Sequence, residues 1–427
     1  IPEENNRITS STIEMLDMEQ HYDIAVIDEA QMIADRDRGH SWTRAILGVK
    51  ADEIHICMSP AAEEVVTHLI ALCEDTFEVR HYERKTALVC EQEAFVFPDD
   101  VTAGDALITF TKRAVLDIAG RLEREGIRAS VIYGSLPPEI RRRQIRLFLS
   151  HETKVVVSTD AIGMGLNLPV RRIVFIQTEK YDGISTRPLN IPEIRQIAGR
   201  AGRFGMYDTG YVNAMGEDAR NYIAKRFDQP EPVIKKVSLG FPHVLLDMDE
   251  PLNAILKIWK SVEPSAPFEK ISIDEILFLY DKAYKARKEI DGFEDKHTLY
   301  RMLTCSIDIK NRDIVDLWLY YCKTYTADVS LHFPSLIMCN DKGLMRYETF
   351  YKMLDLCHQF STRMGKISDS ERLNREREKT EDTIMKLLAK DKKDYIRTCK
   401  YCGVTLPVGY PFRVCEKCYG HRPYKKI

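Results

Sequence analysis

Nowhere in its 427 residues does the chain contain the G-x-x-x-x-G-K-[ST] loop that ordinarily cradles the phosphates of ATP. A nucleotide grip of that kind is therefore excluded from the sequence as it stands. No apolar run approaches the roughly 18 residues that a membrane-spanning helix needs, so no such helix lies within it. Surplus positive charge is also missing: with a formal net charge of −3, any nucleic-acid site must be a local basic groove. Internal repeats and low-complexity tracts are absent, which removes solenoid and linker architectures. The 11 cysteines are an odd number, seven of them single and four in two tight pairs near the end. That usage suits a reducing compartment better than a disulfide framework. The opening residues, Ile1 to Ser11, have the profile of neither a secretory signal nor an Arg-rich transit peptide.

The length exceeds what one hydrophobic core serves, at roughly 100 to 200 residues per domain. Short apolar runs bounded by polar residues recur at Asp23 to Ile27, Ile54 to Met58, Ala106 to Phe110, Ser130 to Tyr133, Val155 to Ser158 and Ile173 to Ile176. They read as strands buried on both faces. Helical patterns fall between them at Arg113 to Glu125, Pro138 to Leu149 and Pro192 to Arg203, an alternation that implies doubly wound parallel sheets. A break at Phe97-Pro98 and a Pro-rich stretch from Gln229 to Pro242 set the expected domains at 1–97 and 98–228. Helical periodicity then dominates 229–395 in Leu252 to Val262, Ile273 to Ile290, Arg312 to Tyr325 and Tyr347 to Met364, with no further strand pattern after Glu250. A charged helix is expected from Ser368, where Ser368 and Glu371 have capping-box spacing, lying solvated on the helical bundle.

Four segments in fixed order carry chemistry: Asp28-Glu29-Ala30-Gln31, Ser59-Pro60-Ala61, Thr159 to Pro169, and Gln196 to Arg203. Together they imply a nucleic-acid-driven ATPase using ATP with Mg²⁺. Asp28 and Glu29 emerge at the carboxyl end of a strand, where Asp28 would anchor Mg²⁺ through water and Glu29 would deprotonate the attacking water. Arg200 and Arg203, three apart on one expected helix face, would reach the γ-phosphate, Arg203 as the finger and Arg200 assisting. Gln196 would bond the nucleotide or the segment around Glu29. Thr159 would grip a nucleic-acid backbone, and Asp160, Gly165 and Asn167 would link that grip to the nucleotide. Read blandly, the same residues are a helix-start acid pair and a helix packed tightly through Gly199, Ala201 and Gly202.

Hydroxyls and small residues at further strand ends, Thr12, Thr111, Gly134 and Ser135, each fit an ordinary turn when taken singly, and by their shared placement fit phosphate contacts along a single strand. The run Arg141-Arg142-Arg143 with Arg146 fits a solvated face better than a nucleic-acid patch. In the tail, Cys399-x2-Cys402 and Cys415-x2-Cys418 have the spacing of a tetrahedral four-cysteine zinc ribbon over 396–427. Basic residues and tyrosines interleave with it, a mixture that suits nucleic acid, although stabilising a small module explains the metal by itself.

The runs VIDEAQMIADRDRGHSWTRAILGVKADEIHICMSPAAEEVV, VIYGSLPPEIRRRQ and STDAIGMGLNLPVRRIVF resemble the DExH-type superfamily-two ATP-dependent RNA helicase of the mitochondrial RNA degradosome and its bacterial relatives. The resemblance is dense from Ser10 to about Phe204 and looser to about Ala389; the four-cysteine module is an addition to the pattern of the eukaryotic members. It implies an α/β fold of two RecA-like parallel-sheet domains, the first incomplete, followed by a helical region, to which the cysteine spacing adds the C-terminal zinc ribbon. It also implies 3′ to 5′ movement along RNA, with single-stranded or 3′-tailed RNA as partner and an exoribonuclease as a candidate second partner. On the pattern's matching positions, Asp28, Glu29 and Gln31 form the acidic motif and Gln196, Arg200 and Arg203 the arginine motif. Thr178 to Ile191 matches either a strand-separating hairpin or a plain surface loop. Without the phosphate loop the chain is expected to be a fragment, nearly inactive alone. The bacterial relatives favour a cytoplasmic location, with a mitochondrial one left open. A non-catalytic RNA-binding scaffold and a DNA helicase fit the same motifs as alternatives.

Overall fold

The computed structural model describes residues 8–163, 168–202, 205–325, 331–366, 369–391, 396–408, 410 and 412–420. Along the chain, strand β1 (His21–Ile27), helix α1 (Gly39–Gly48), β2 (Lys50–Ile56) and α2 (Glu63–Leu72) come first. Next follow β3 (Ala87–Cys90), β4 (Asp105–Ile108), α3 (Lys112–Arg124), β5 (Ala129–Ile132), α4 (Pro138–Leu149), β6 (Val155–Ser158) and β7 (Arg172–Phe175). Then come β8 (Glu179–Tyr181), β9 (Thr186–Pro188), α5 (Ile191–Ala198), β10 (Thr209–Ala214) and α6 (Glu217–Phe227). The remainder holds β11 (Val237–Leu239), α7 (Leu252–Ser261), β12 (Phe268–Lys270), α8 (Asp274–Lys285), α9 (Lys296–Leu303), α10 (Arg312–Thr324), α11 (Gly343–Arg363), α12 (Ser370–Asp391) and α13 (Glu416–Gly420). These elements form two compact units, one of Ile1–His81, Glu231–His332 and Leu356–Ser368, the other of Tyr82–Pro230, Phe333–Asp355 and Asp369–Ile427.

The second unit holds a six-stranded sheet in the order β3-β10-β7-β4-β6-β5, every neighbour parallel. Strands β4 to β7 are buried on both faces, as their largely apolar runs require. Successive side chains alternate between two cores: Leu107, Val131, Val157 and Val174 join Leu116 and Leu122 of α3 and Ile140 of α4 on one face. On the other face, Ile108, Ile132, Val156 and Phe175 join Ile194 and Ile197 of α5 and Ile223 of α6. Strands β3 and β10 have no counterpart among the apolar runs read from sequence. The structure corrects the helix expected over Pro192 to Arg203, which ends at Ala198. Beyond it Ala201 bridges Val170 in parallel, and Gly202 takes φ +71° with the Gly210 backbone so close that any Cβ would collide.

In the first unit, β1 and β2 form a parallel pair, and α1 and α2 pack on the face carrying Ala25, Ile27, Ile54 and Ile56. The opposite face is not covered among the described residues, with Ile24 and Val26 58% and 66% exposed, contrary to the expectation of strands buried on both faces. Among the described residues only one side receives helices. Residues after 230 return to this unit: Val237 enters its core, Ile234 N donates to Ala61 O, and Thr43 Oγ1 donates to Ser238 O at 2.6 Å. Strand β12 then pairs in parallel with β11, so strand structure does continue past Glu250. Its three residues are too few to show a period-2 pattern.

The charged helix α12 is corrected in two respects. Ser368 lies outside the described residues, and the Arg372 N–H at the helix start is taken up by Asp369 Oδ1 at 2.9 Å. The helix is held to α11 by Arg377 with Asp355 and Glu381 with Tyr351, but Ile384 and Leu388 are buried in the α3–α4 face of the sheet, and Asp382 pairs with Arg143 at 2.6 Å. Tyr133 and Lys112 reach the same carboxylate of α11, Glu348, at 2.7 and 2.5 Å.

One ionic network lies deep in the sheet. Arg172 of β7 donates to both oxygens of the fully buried Asp105 of β4, at 3.0 and 2.7 Å, and to Glu91. Removing one partner strands the other charge in low dielectric. Asp105→Ala should therefore cost about 3 to 5 kcal/mol in denaturant unfolding, whereas exposed Arg142→Ala, at the Glu139 pair, should cost less than about 1.

Candidate functional site

The acidic segment is built by the β1–β2 pair. Because the strands run parallel, both carboxyl ends open at one edge, bringing Asp28-Glu29 beside Ser59-Pro60-Ala61. Ladder bonds carry the pairing past the strands, with Cys57 N donating to Ile27 O and Ala30 N to Cys57 O, both 2.9 Å. Glu29 sits at φ 55°, a left-handed conformation that a non-glycine residue adopts only under constraint. The constraints are visible: Asp28 Oδ1 accepts from Glu29 N at 2.9 Å, and Trp42 Nε1 donates to Asp28 O at 2.9 Å. Gln31 links the two segments, its Nε2 donating to Glu29 Oε2 at 2.5 Å and its Oε1 accepting from Ser59 N at 3.1 Å. Asp28 is exposed, and among the described residues its Oδ2 has no protein partner, which fits a hydrated divalent cation. Thr12 lies in the same unit, exposed just before a short 3-10 turn.

On the second unit, β4, β6 and β5 are adjacent, so Thr111, Thr159 and Gly134-Ser135 follow three neighbouring strand ends at one edge. Thr111 caps α3, its hydroxyl accepting from Ala114 N at 3.1 Å, while Gly134 and Ser135 are exposed. Thr159 is only 6% exposed, with Oγ1 accepting from Ala161 N at 3.3 Å. Asp160 pairs with Lys180 at 3.1 Å. Gln196 packs its side chain against Gly163, and Arg200 donates to Gly163 O at 2.5 Å, so these two motifs meet. Arg200 stands in the turn after α5, not on a helix face. Arg203, Gly165 and Asn167 lie outside the described residues.

Several participants had no motif to announce them. Arg84 donates to Gly199 O at 3.0 Å and Ala201 O at 2.5 Å, tying down the arginine turn, and burial followed by nearby Arg200 lowers its pKa. Glu193 had a readable signal, since Asn190-x-x-Glu193 closes a capping box at the start of α5. The same carboxylate accepts from Arg187 at 2.8 Å and Lys180 at 2.8 Å, fastening the β8–β9 hairpin to α5. Thr178 to Ile191 is thus a hairpin, antiparallel with Lys180 opposite Arg187. Its turn is closed by Asp182 Oδ1 accepting from Ile184 N and Ser185 N, with Gly183 at φ 100°, and Ile184 stands 85% exposed at the tip.

In the tail, the Sγ atoms of Cys399, Cys402, Cys415 and Cys418 all lie within 4.8 Å of one another. Tetrahedral Zn²⁺ with bonds of about 2.3 Å needs sulfurs about 3.8 Å apart, so the set fits that ion. Backbone N–H groups of Cys402 and Cys415 pull the Cys399 thiol down to about 6, favouring the thiolate that a metal binds. The module is fastened to α3, where Arg397 N donates to Asp117 Oδ1 at 3.1 Å and Arg121 donates to Leu406 O at 2.6 Å.

The fold and the paired motifs define the class: residues 88–205 match the helicase conserved C-terminal domain, and residues 1–82 match the DEXQ-box helicase domain of Suv3. The chain thus contains a Suv3-type DEXQ-box helicase domain and a helicase C-terminal domain. It is 41% identical over 243 residues to the mitochondrial ATP-dependent RNA helicase SUV3 of rice (Oryza sativa subsp. japonica), covering 56% of this chain and 42% of that protein. To the mitochondrial ATP-dependent RNA helicase SUPV3L1 of Gallus gallus it is 31% identical over 405 residues, 88% of this chain and 50% of that protein. The chain therefore spans half or less of these curated relatives. Among solved structures, Saccharomyces cerevisiae Dbp5 bound to RNA and ADP BeF3 covers 50% of this chain and 59% of its own, with 19% identity and a TM-score of 0.36. Both relatives are named mitochondrial, so the cytoplasmic expectation has no support from them.

Burial alone would raise the carboxyl of Glu193; the bonds from Arg187, Lys180 and Asn190 N outweigh it and bring it down to about 2. Since the folded value lies below the ordinary one, this clamp contributes fully above about pH 4.5 and is lost as pH falls towards 2. Glu193→Gln should lower stability at pH 7 and flatten the acid-side slope, read in unfolding curves taken across that window.

Proposed function

We propose that the chain supplies most of the core of an ATP-dependent RNA helicase that moves 3′ to 5′ and acts in RNA turnover. The observation that carries the reading is the hydrogen-bonded chain from Glu29 through Gln31 to Ser59, which joins an acid pair to the neighbouring strand end. A pure binding scaffold has no use for a base held so tightly. Bound ATP with Mg²⁺ supplies the phosphoanhydride whose cleavage drives such an enzyme. In this reading Asp28 offers its unpartnered oxygen to the hydrated cation, and Glu29, its direction set by Gln31, takes the proton of the attacking water. Arg200 and Arg203 stabilise charge on the transferred phosphoryl group, Gln196 bonds the nucleotide, and Asp160, Gly165 and Asn167 relay the nucleotide state. Thr12, Thr111, Gly134, Ser135 and Thr159 hold RNA phosphates, and the exposed Ile184 at the hairpin tip wedges between paired strands. An exoribonuclease partner and a mitochondrial location belong to the same proposal.

RNA should stimulate ATP hydrolysis by the complete protein more than DNA of the same sequence does, and Glu29→Gln should reduce turnover about 10² to 10⁴-fold. Equal stimulation by both nucleic acids would favour a DNA-capable helicase, and RNA binding without any turnover would favour the scaffold. Ile184→Ser should slow unwinding of 3′-tailed duplexes while leaving the stimulated ATPase rate unchanged, which separates a wedge from a passive loop.

For the tail we propose a structural Zn²⁺ held by Cys399, Cys402, Cys415 and Cys418. Elemental analysis should find one zinc per chain, lost in a Cys399→Ser, Cys415→Ser double variant. Unchanged zinc content would remove these cysteines as ligands.

A further inference from the structure

The first unit contains a cavity of about 650 Å³ where the 3-10 turn His243–Asp247, helix α9 and the end of α11 meet. Its floor is apolar, made by the buried Leu246 and Tyr300, with the Tyr300 ring backed by Phe241 at 5.1 Å. Its walls are His243, His297, Arg301 and Arg363, all exposed. Each guanidinium is anchored by one bond to a neutral hydroxyl, Arg363 to Thr304 at 2.9 Å and Arg301 to Thr298 at 3.2 Å. Neither has a carboxylate partner among the described residues. Two exposed acids border the group: Asp247, 3.2 Å from His297, and Asp295, whose carboxylate accepts from the His297 N–H and from the Thr298 hydroxyl. Burial, then Arg44, Arg363 and His297, lower the pKa of His243, as expected where positive charge converges. In a chain of net charge −3, two guanidiniums with spare donors over an aromatic floor form a local anion site.

We propose that this cavity binds a backbone phosphate of single-stranded RNA, the forks of Arg301 and Arg363 taking its oxygens while the adjoining sugar or base rests on the Tyr300 floor. Planar guanidinium forks match phosphate oxygens two at a time, and an aromatic floor holds a base regardless of its identity. His243, its ring edge-on to Tyr300 at 5.4 Å, donates an additional hydrogen bond to the same strand. This assignment rests on the RNA reading above and adds to it a contact that no motif of the helicase core contains.

The test is fluorescence anisotropy of the 427-residue chain with a labelled 20-nucleotide oligouridylate across a salt series. Arg301→Ala with Arg363→Ala should weaken binding about tenfold or more. The same pair should flatten the log K against log salt slope by about 0.7, the value for one lost phosphate contact on a single strand. Lysine at both positions should restore most of the slope, and unchanged affinity, or weaker binding with an unchanged slope, would overturn the site. If the alanine pair fails to fold, arginine modification by butanedione in the unaltered chain decides, since bound RNA should protect Arg301 and Arg363 and absence of protection refutes the proposal. No RNA binding by the unaltered chain would instead defeat the RNA reading itself, and this site with it. Competition by a phosphopeptide in place of RNA would reassign the cavity to a protein partner.

Discussion

Parallel pairing is the constraint on which the rest of this structure depends. A parallel strand cannot turn straight back, so every connection crosses a face of the sheet and every carboxyl end arrives at the same edge. In the second unit this brings the ends of β4, β6 and β5 together although they are separated by dozens of residues. In the first unit it sets Glu29 beside Ser59, close enough for one glutamine side chain to span them. The left-handed backbone at Glu29 follows from the same geometry: the chain must leave β1 while Ala30 N still bonds to the neighbouring strand. Helix propensity has little part in it.

A second constraint acts at the arginine turn. Gly202 and Gly210 let two backbones approach so closely that a Cβ at Gly210 would lie 2.5 Å from Ala201 C. The contact pins the segment after α5 to β10, and Arg84 ties the carbonyls of Gly199 and Ala201 from the other side. Tight packing and chemical function are not competing readings of this glycine-rich run. An arginine can be aimed only if the turn bearing it is immobile, and glycines permit the immobility.

What was legible in the sequence followed from local cause. Strands β4 to β7 were visible because burial on both faces demands largely apolar runs. The cysteine ligand set was visible because tetrahedral coordination imposes a short spacing. Strand β10 was missed since Thr209, Gly210 and Asn213 interrupt its apolar character, and β3, a four-residue apolar run, becomes a strand through its partnership with β10. The end of α5 was overrun because its stop is a tertiary pairing of Ala201 with Val170. The placement of α12 was misread for a related reason: so charged a sequence hides the two residues, Ile384 and Leu388, that decide what it packs on.

Long-range charge pairing was the least legible of all, and it bears on how a protein of slightly negative net charge could hold a polyanion. Lys112, one residue past the Thr111 cap, lies over the Tyr133 ring at 5.3 Å and pairs with Glu348, 236 residues away. Tyr133 directs its hydroxyl to the other oxygen of that carboxylate, so one buried acid from α11 orders both residues flanking the strand-end hydroxyls. Lysine held this way presents a fixed dipole with a neutralised head, whereas Arg301 and Arg363 keep unmatched charge at their cavity. The two surfaces therefore differ in kind: one is shaped by directed hydroxyls and backbone ends, the other by free positive charge. Ionic strength weakens the second far more than the first, so charge summed over the whole chain says little about either.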